Sequence, residues 1–290
     1  MNTVLPLAIL FSAASALVPT SCPCGLTNRG RIVGGREAKK NEFPLAAALV
    51  FTGDEEPEAF CGATILTPFH AITAAHCTQD QVKEYIDYIK LLVGAHNVKN
   101  VGKEVQFIPV EKFLDHEDYT PKDPNGRPQL NDVSLVVLKE EIRFNVNVGP
   151  ACLPTGQLEL ERQYVKVMGW GLTQTGGEGS NVLREVNLMV VPYKTCESFF
   201  NLNPQRGQFC SFGKNKDTCK GDSGGPLVWV DPETNRLTLV GLVSYGSKTC
   251  GTNPAVNTDV SRYLDWIQTK ISGSGKPGTT CQKMNATLPS

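Results

Sequence analysis

The sequence predicts an all-β protein with one amphipathic helix near its C-terminal end. Short apolar or alternating runs, separated by clusters of Gly, Pro, Asn and Asp, recur along most of the chain, and such runs are typical of β-strands. They occupy residues 46–51, 63–66, 90–93, 105–110, 133–138, 165–168, 185–191, 227–230 and 237–243. After them, Tyr263, Trp266, Ile267 and Ile271 recur at helical spacing, which predicts a helix over residues 262–271.

Composition and charge argue against two classes of partner. The chain has 290 residues with 28 basic and 29 acidic side chains, a net charge of -1, so we expect it to bind neither nucleic acid nor a membrane.

Residues 5–18 are apolar and are followed by small or polar residues, as in a secretory signal. The alternative is a membrane anchor, but the stretch is shorter than the ~20 residues that a spanning helix needs. We therefore expect a secreted, extracellular protein whose signal peptide ends near Ala16.

The cysteine content also points to an extracellular protein. Ten cysteines are an even number, as closed pairing requires, and disulfides persist in oxidising compartments. The sequence alone does not fix their connectivity. A bridge between Cys22 and Cys24 would be strained, so we expect each of them to pair elsewhere.

A nucleophile is indicated by a serine with glycines around it. The stretch reads Asp217-Thr218-Cys219-Lys220-Gly221-Asp222-Ser223-Gly224-Gly225-Pro226. A serine hydroxyl is a poor nucleophile at neutral pH, so it needs a base to take its proton and a third group to orient that base. His76 in Thr-Ala-Ala-His-Cys and Asp132 ahead of an apolar run fit those roles, although a surface turn acid is the alternative for Asp132. The other histidines are interpreted as structural: His70, His96 and His116.

A fourth motif, near the front of the chain, is Arg31-Ile32-Val33-Gly34-Gly35. Together the four motifs, in this order and spacing, resemble the chymotrypsin-like serine proteases over residues 32–271. The resemblance implies two six-stranded antiparallel β-barrels in about 240 residues, with the active site between them. It also implies a serine endopeptidase in which His76, Asp132 and Ser223 cleave peptide bonds through an acyl-enzyme.

The same resemblance implies that the chain is made as an inactive zymogen. Cleavage after Arg31 would create an ammonium group at Ile32, which would pair with Asp222; without that partner Asp222 would be an unpaired buried charge. Gly221 and Ser223 would then donate backbone N–H groups to the oxyanion. The implied organisation is a signal peptide over residues 1–16, a propeptide over 17–31, a protease domain over 32–271 and a flexible tail over 272–290.

Cleavage after Arg or Lys is implied by Asp217, which matches the base of the primary pocket in trypsin-like members. The alternative for Asp217 is an exposed turn acid. The other substrate-binding positions that the resemblance carries over are Thr218, Ser244, Tyr245, Gly246 and Ala255. Two residues depart from the family pattern, since Ala255 stands where most relatives have Gly and Asn257 where they have Tyr. An added methyl group can displace a guanidinium, so the preference between Arg and Lys stays open.

The resemblance implies three disulfides, which join Cys61 to Cys77, Cys196 to Cys210, and Cys219 to Cys250. Many relatives join their propeptide to the position of Cys152, so either Cys22 or Cys24 is expected to bind it, leaving the other for Cys281. The propeptide would then stay attached after activation.

We expect no cofactor and no bound metal. Trypsins bind calcium in the loop that here contains Ala95 in place of a ligand glutamate, and Glu104 alone would make a weak site. Asn285-Ala286-Thr287 is a sequon for N-glycosylation. The expected partners are protein or peptide substrates and proteinaceous serine protease inhibitors, and we expect a monomer.

Within the family, the chain looks most similar to insect venom or salivary serine proteases. The features behind this narrower resemblance are Cys22-Pro23-Cys24-Gly25, the runs at residues 41–44 and 149–154, and a cysteine past the final helix. A digestive trypsin is one alternative, which the tethered propeptide opposes. An immune or clotting-cascade protease is another, but too few residues separate the expected signal peptide from Arg31 to form a clip domain with its own disulfides. A non-catalytic homologue that acts by binding is opposed by the intact His76, Asp132 and Ser223.

Overall fold

A computed structural model describes residues 17–28, 36–53, 56–121, 129–200, 207–214, 218–247 and 249–284. The prediction of an all-β protein is confirmed. The strands in these residues are β1 (Arg36–Glu37), β2 (Ala46–Phe51), β3 (Glu58–Thr67), β4 (His70–Thr73), β5 (Ile89–Val93), β6 (Gln106–Asp115), β7 (Ser134–Leu138), β8 (Cys152–Leu153), β9 (Tyr164–Gly169), β10 (Arg184–Val191), β11 (Gln208–Phe212), β12 (Pro226–Asp231), β13 (Arg236–Tyr245), β14 (Ala255–Asp259) and β15 (Cys281–Gln282). The helices are α1 (Asp80–Lys83), α2 (Tyr193–Phe200) and α3 (Leu264–Gly273). None of the described helices is both long and apolar enough to cross a membrane.

The first barrel closes in the order β2-β3-β4-β7-β6-β5, with every neighbouring pair antiparallel. Strand β2 shows why its sequence is apolar throughout rather than alternating. Ala47 and Leu49 pack with the interior of this barrel, whereas Ala46, Ala48 and Val50 pack in a separate core cluster. Both faces of the strand are therefore buried.

The second barrel closes in the order β9-β10-β11-β14-β13-β12, again antiparallel, with β12 pairing back onto β9. Its interior contains Val165, Val167, Leu188, Leu227 and Val240, all buried. These two closed six-stranded barrels confirm the predicted architecture. The core cluster that takes up the outer face of β2 also contains residues of β7, β12 and β13, so it joins the two barrels.

Helix α3 packs on this shared core through Ile267 and Ile271, both fully buried. It begins at Leu264, two residues after the start that the sequence predicted. The difference has a local cause: Asp259 accepts a hydrogen bond from the Ser261 N–H, and the capped segment Val260–Arg262 forms a 3-10 turn before the α-helix starts.

Some short strands were missed by the sequence analysis because two of the buried residues in each are polar. Strands β4, β11 and β14 are examples, and β14 reads Ala-Val-Asn-Thr-Asp. Asn257 and Thr258 are buried there, and Thr258 Oγ1 donates to the Asp132 carbonyl at 2.8 Å. Helix α2 was missed for the opposite reason, since only Cys196 in it is buried.

The two ends of the described chain are joined to each other and to the second barrel. Cys22 bonds to Cys281 and Cys24 bonds to Cys152. Alongside them, the Ser21 N–H donates to the Gln282 carbonyl at 2.8 Å. Strand β15 pairs in parallel with β8, which itself pairs with β13. The bond to Cys281 thus anchors a tail whose composition alone suggested flexibility.

Candidate active site

His76 and Asp132 meet because the strands that carry them are neighbours. His76 lies in the 3-10 turn Ala75–Cys77 that follows β4, and Asp132 lies just before β7. These strands pair so that Thr73 faces Ser134. The His76 Nδ1 lies 2.8 Å from Asp132 Oδ2, and the His76 N–H donates to Asp132 Oδ1 at 2.9 Å. The ring contact favours the tautomer with a proton on Nδ1, and the backbone contact holds Asp132 Oδ1 against the turn that carries His76.

Asp132 is a buried carboxylate with more donors than His76 alone supplies. It is 1% exposed, and its Oδ2 accepts hydrogen bonds from Ser244 Oγ at 2.5 Å and Gln129 Nε2 at 2.6 Å. Burial opposes its ionisation, but the hydrogen bonds and charge of His76, with the Ser244 hydroxyl, outweigh burial and hold the pKa of Asp132 below its usual value. The surface-turn alternative for Asp132 is therefore wrong.

Ser223 lies in the turn before β12, where backbone contacts tie it to both barrels. Its carbonyl accepts from the Gly62 N–H of β3 at 2.8 Å, and the next residue, Gly224, donates to the Val243 carbonyl of β13 at 2.8 Å. Gly224 has φ of 72°, and a Cβ there would collide with Thr73 Oγ1 in the strand that leads to His76. Glycine at this position therefore permits the close approach of the serine turn to the histidine strand.

The loop before Ser223 is shaped by Gly221 and Asp222. Gly221 has φ of 95°, and a Cβ on it would lie 2.9 Å from the Gly171 Cα. The Asp222 carboxylate accepts from the backbone N–H groups of Gly171 and Cys219, each at 2.9 Å. The disulfide between Cys219 and Cys250 also holds this loop. Arg31 and Ile32, the activation residues predicted to act on Asp222, lie outside the described residues.

The residues predicted to bind substrate lie mainly on β13 and β14. Ser244 and Tyr245 end β13, Gly246 follows it, and a Cβ on Gly246 would lie 3.6 Å from the Cβ of Ala255. Ala255 is 3% exposed and begins β14. Thr218 is half-buried, whereas Asp217 lies outside the described residues.

Asn257, the second departure from the family pattern, is completely buried two residues further along β14. Its Nδ2 donates to Ser211 Oγ at 3.0 Å. Its Oδ1 has no hydrogen-bond partner among the described residues. A buried acceptor without a donor is unusual in a folded protein.

The other three histidines make separate contacts. His70 is fully buried, with Nδ1 lying 2.6 Å from Thr67 Oγ1 and Nε2 lying 2.8 Å from Ser274 Oγ. His96 pairs with Glu37, and His116 stacks on Trp266 with ring centroids 5.3 Å apart.

Gln129 is a residue that the sequence analysis did not single out. It lies three residues before Asp132, and its own carbonyl accepts from Gln208 Nε2 at 2.7 Å. The position next to a candidate catalytic acid was the available signal, but glutamine is usually exposed. Its burial, with 6% of the residue exposed, becomes visible only in the structure.

The cysteines pair as the resemblance implied, with Cys61 bonded to Cys77, Cys196 to Cys210, and Cys219 to Cys250.

One group of potential metal ligands occurs in the described part of the chain, formed by Cys61, His76 and Cys77. Because both sulfurs belong to a disulfide, they offer no thiolate to a metal. In the loop where trypsins bind calcium, the Glu104 carboxylate accepts a hydrogen bond from Asn147 Nδ2 at 2.9 Å.

The Trypsin family model matches residues 32–267 of this chain. The chain belongs to the trypsin family of serine proteases. It is accordingly a serine endopeptidase, with proteins or peptides as its substrates.

Similar proteins include proteases of insect venom and a clip-domain protease. A venom serine protease of Polistes dominula is 33% identical over 261 residues, covering 87% of this chain and 90% of the relative. Venom serine protease 34 of Apis mellifera is 36% identical over 252 residues, which cover 86% of this chain and 60% of the relative. The CLIP domain-containing serine protease HP8 of Bombyx mori is 33% identical over 279 residues, covering 90% of this chain and 74% of the relative.

Proposed function

We propose that this trypsin-family protease is a secreted endopeptidase, made as a zymogen, that cleaves after Arg or Lys with His76, Asp132 and Ser223 as its catalytic residues. The observation that carries the proposal is the pair of hydrogen bonds between His76 and the buried Asp132. The turn of Ser223, which lies nearby, is hydrogen-bonded to both barrels. This arrangement supplies an oriented base close to the serine turn.

The proposed reaction has two halves. The Ser223 Oγ forms a bond to the substrate carbonyl carbon while His76 takes its proton, and the backbone N–H groups of Gly221 and Ser223 donate to the oxyanion. The C–N bond then breaks and His76 passes the proton to the leaving amine. Water repeats the sequence on the acyl-enzyme and releases the carboxylic acid product. Asp132 remains ionised throughout and stabilises the imidazolium.

Activation would follow cleavage after Arg31, and strand spacing supports it. Glu37 pairs with Arg184, and Arg184 pairs with Gly169, whose neighbourhood includes the Asp222 carboxylate. Two strand spacings separate Glu37 from Gly169, about 10 Å. The four residues from Ile32 to Gly35 span up to about 14 Å when extended, enough for the new N-terminus to reach Asp222.

Arg36, the residue that follows this four-residue segment, is held in place by two ion pairs. Its guanidinium pairs with Glu42 at 2.7 Å and with Glu185 at 2.8 Å, and both acids are almost completely buried. Cleavage would therefore free the short segment ahead of Arg36 without loosening the fold behind it. The residues over 17–28 would remain bonded to the enzyme through Cys22 and Cys24.

Specificity rests on Asp217 as a counter-ion for Arg or Lys, with Ser244 to Gly246 pairing with the substrate backbone. The names of the similar insect proteins support a role in arthropod venom, and a salivary role is the alternative within the same proposal. They also support an extracellular location. In a secreted protein, residues 1–16 would be the signal peptide, and Asn285, which lies outside the described residues, would be a glycosylation site. A cascade protease is the second candidate, favoured by the similarity to the clip-domain protease. Proteinaceous inhibitors are the expected regulators of a monomeric enzyme.

Peptide hydrolysis tests the proposal. Protein nicked after Arg31 is assayed on matched peptides that carry Arg, Lys, Phe or Ala before the cut bond, beside an equally nicked Ser223→Ala protein. We expect hydrolysis after Arg or Lys in the first protein and none in the second. An Arg31→Gln protein should fold but remain inactive. Full activity of Arg31→Gln would contradict the zymogen, and a preference for Phe or Ala would contradict the role of Asp217.

A further inference from the structure

Gln129 donates a hydrogen bond to the carboxylate that holds His76. Its Nε2 lies 2.6 Å from Asp132 Oδ2 and 3.1 Å from His76 Nδ1. Asp132 Oδ2 thereby accepts from His76, Ser244 and Gln129 together. Because His76 Nδ1 carries the proton that it donates to Asp132, the Gln129 NH₂ group lies beside His76 but donates only to the carboxylate.

The chemistry of the carboxylate decides which end of the amide faces it. An ionised carboxylate only accepts hydrogen bonds, whereas an amide has a donor NH₂ and an acceptor oxygen. The opposite orientation would bring two acceptor oxygens within 2.6 Å of each other in a buried place. The NH₂ group of Gln129 therefore faces Asp132, and it donates a charge-assisted hydrogen bond.

The backbone holds this side chain in place. Gln208, on β11 of the second barrel, donates its Nε2 to the Gln129 carbonyl at 2.7 Å. Both glutamines are more than nine-tenths buried. The segment before Asp132 is therefore bonded to the opposite barrel, and the Gln129 amide is presented to the carboxylate from a fixed position.

We propose that Gln129 is a positioning residue for catalysis, which fixes Asp132 Oδ2 and takes up part of the carboxylate charge that otherwise acts on His76. The proposal rests on the catalytic roles proposed above for His76 and Asp132. A third donor on Oδ2 stabilises the carboxylate in itself and so weakens its stabilisation of the imidazolium. Gln129 thereby fixes the geometry of the pair and, at the same time, reduces the stabilisation of the imidazolium by Asp132.

The other titratable groups around Asp132 do not alter the pH dependence expected for His76 and Asp132. Burial, with a further contribution from the Asp132 charge, raises the pKa of Tyr119, Tyr245 and Tyr263 above the usual value for tyrosine, so all three stay neutral. None of these three tyrosines therefore changes its charge near neutral pH.

Two substitutions test the proposal. Gln129→Met keeps the length of the side chain and removes the donor, and Gln129→Glu adds a negative charge at the same point. The matched control is Gln79→Met, because Gln79 lies three residues after His76 and donates instead to the Tyr119 hydroxyl at 2.9 Å. The kcat and KM of each nicked protein are measured against pH on one Arg or Lys peptide, with active enzyme counted by titration of the serine.

We expect Gln129→Met to lower kcat about tenfold, the size typical of one hydrogen bond to a charged group, with KM little changed. The acid limb of its pH profile should move to higher pH, because the unshared carboxylate favours the imidazolium. Gln129→Glu should move the limb further, by about one unit, and Gln79→Met should match the wild type. Gln129→Met and Gln129→Glu proteins with wild-type kcat and acid limb would overturn the proposal.

A spectroscopic measurement separates this outcome from a failure of the proposed function or of folding. The Nδ1 proton of His76 is followed by NMR against pH in Ser223→Ala protein, with and without Gln129→Glu. We expect its signal to titrate at higher pH in the double variant, and a coincident titration would overturn the proposal. An inactive wild type with that shift would contradict only the proposed function.

Discussion

Ser244 Oγ on β13 of the second barrel donates to Asp132 Oδ2, which lies ahead of β7 of the first, at 2.5 Å. The candidate catalytic acid is thus held from across the boundary between the barrels. Thr258 on β14 adds a second cross-boundary contact to the Asp132 carbonyl at 2.8 Å. The position of His76 relative to Ser223 therefore depends on how the two barrels are joined.

Replacement of Ser244 by Ala should lower kcat about tenfold, because it removes one hydrogen bond to a buried charge. The backbone of Ser244, which is proposed to pair with the substrate, is left unchanged, so KM should move little. The control is Ser211→Ala, which alters a buried serine on β11 that contacts Asn257. Steady-state kinetics on both proteins would refute the expected role if the two variants behaved alike.

Replacement of Asp132 by Asn should reduce kcat about 10⁴-fold, which is the known size of this substitution's effect in the chymotrypsin-like family. The amide can present its NH₂ group to His76 Nδ1, which would favour the wrong tautomer. Circular dichroism should show an unchanged fold. Retention of more than a tenth of the activity would remove Asp132 from the catalytic set.

The Ala255 methyl group lies 3.6 Å from the position that a Cβ on Gly246 would take, so it borders the space between β14 and the end of β13. Ala255→Gly should raise kcat/KM for Arg peptides relative to Lys peptides, by about tenfold, because the larger guanidinium gains most from the added room. The ratio of the two substrates is the measurement, since it does not depend on enzyme concentration. An unchanged ratio would place Ala255 outside the pocket.

Burial, with a smaller contribution from the charge of Lys276, lowers the pKa of His70 to about 4. In the unfolded chain its pKa is about 6.5, so the unfolded state binds the proton first as pH falls. The free energy of unfolding should therefore decrease as pH falls from about 6.5 to about 4, by about 3 kcal/mol from this residue. The stability that depends on neutral His70 is fully present above about pH 6.5.

Denaturant unfolding across this pH range provides the measurement. His70→Asn should be less stable than the wild type at neutral pH but should lose less stability on acidification. His96→Asn, which alters a histidine paired with Glu37, is the control. Equal pH dependence in wild type and His70→Asn would contradict the assignment to His70.

The sequence predicted those parts of the fold whose residues are apolar on at least one face. Strand β2 was predicted with its observed bounds because both its faces pack in cores. Strand β14 was not, since Asn257 and Thr258 are buried by hydrogen bonding rather than by apolar contact. Periodicity carries no signal for such partners, which come from distant parts of the chain.

The candidate site divides in the same way. His76, Asp132 and Ser223 were identified because each lies in a local motif. Gln129 has no motif, and its importance arises from a fold that buries its amide against Asp132. The disulfide pairing of the cysteines near the chain ends was also not predictable from the sequence. Only the structure shows that Cys24, and not Cys22, is the partner of Cys152.

The paired attachment of residues 17–28 affects how the enzyme could be observed. If the bond after Arg31 is cut, the bonds from Cys22 to Cys281 and from Cys24 to Cys152 keep the fragment in place, so the mass grows only by one water molecule. Non-reducing electrophoresis would not separate the cut and uncut forms, whereas reduction would release a short peptide. A fluorescent dye on this fragment would therefore travel with the mature enzyme and report its location without altering the N-terminus at Ile32.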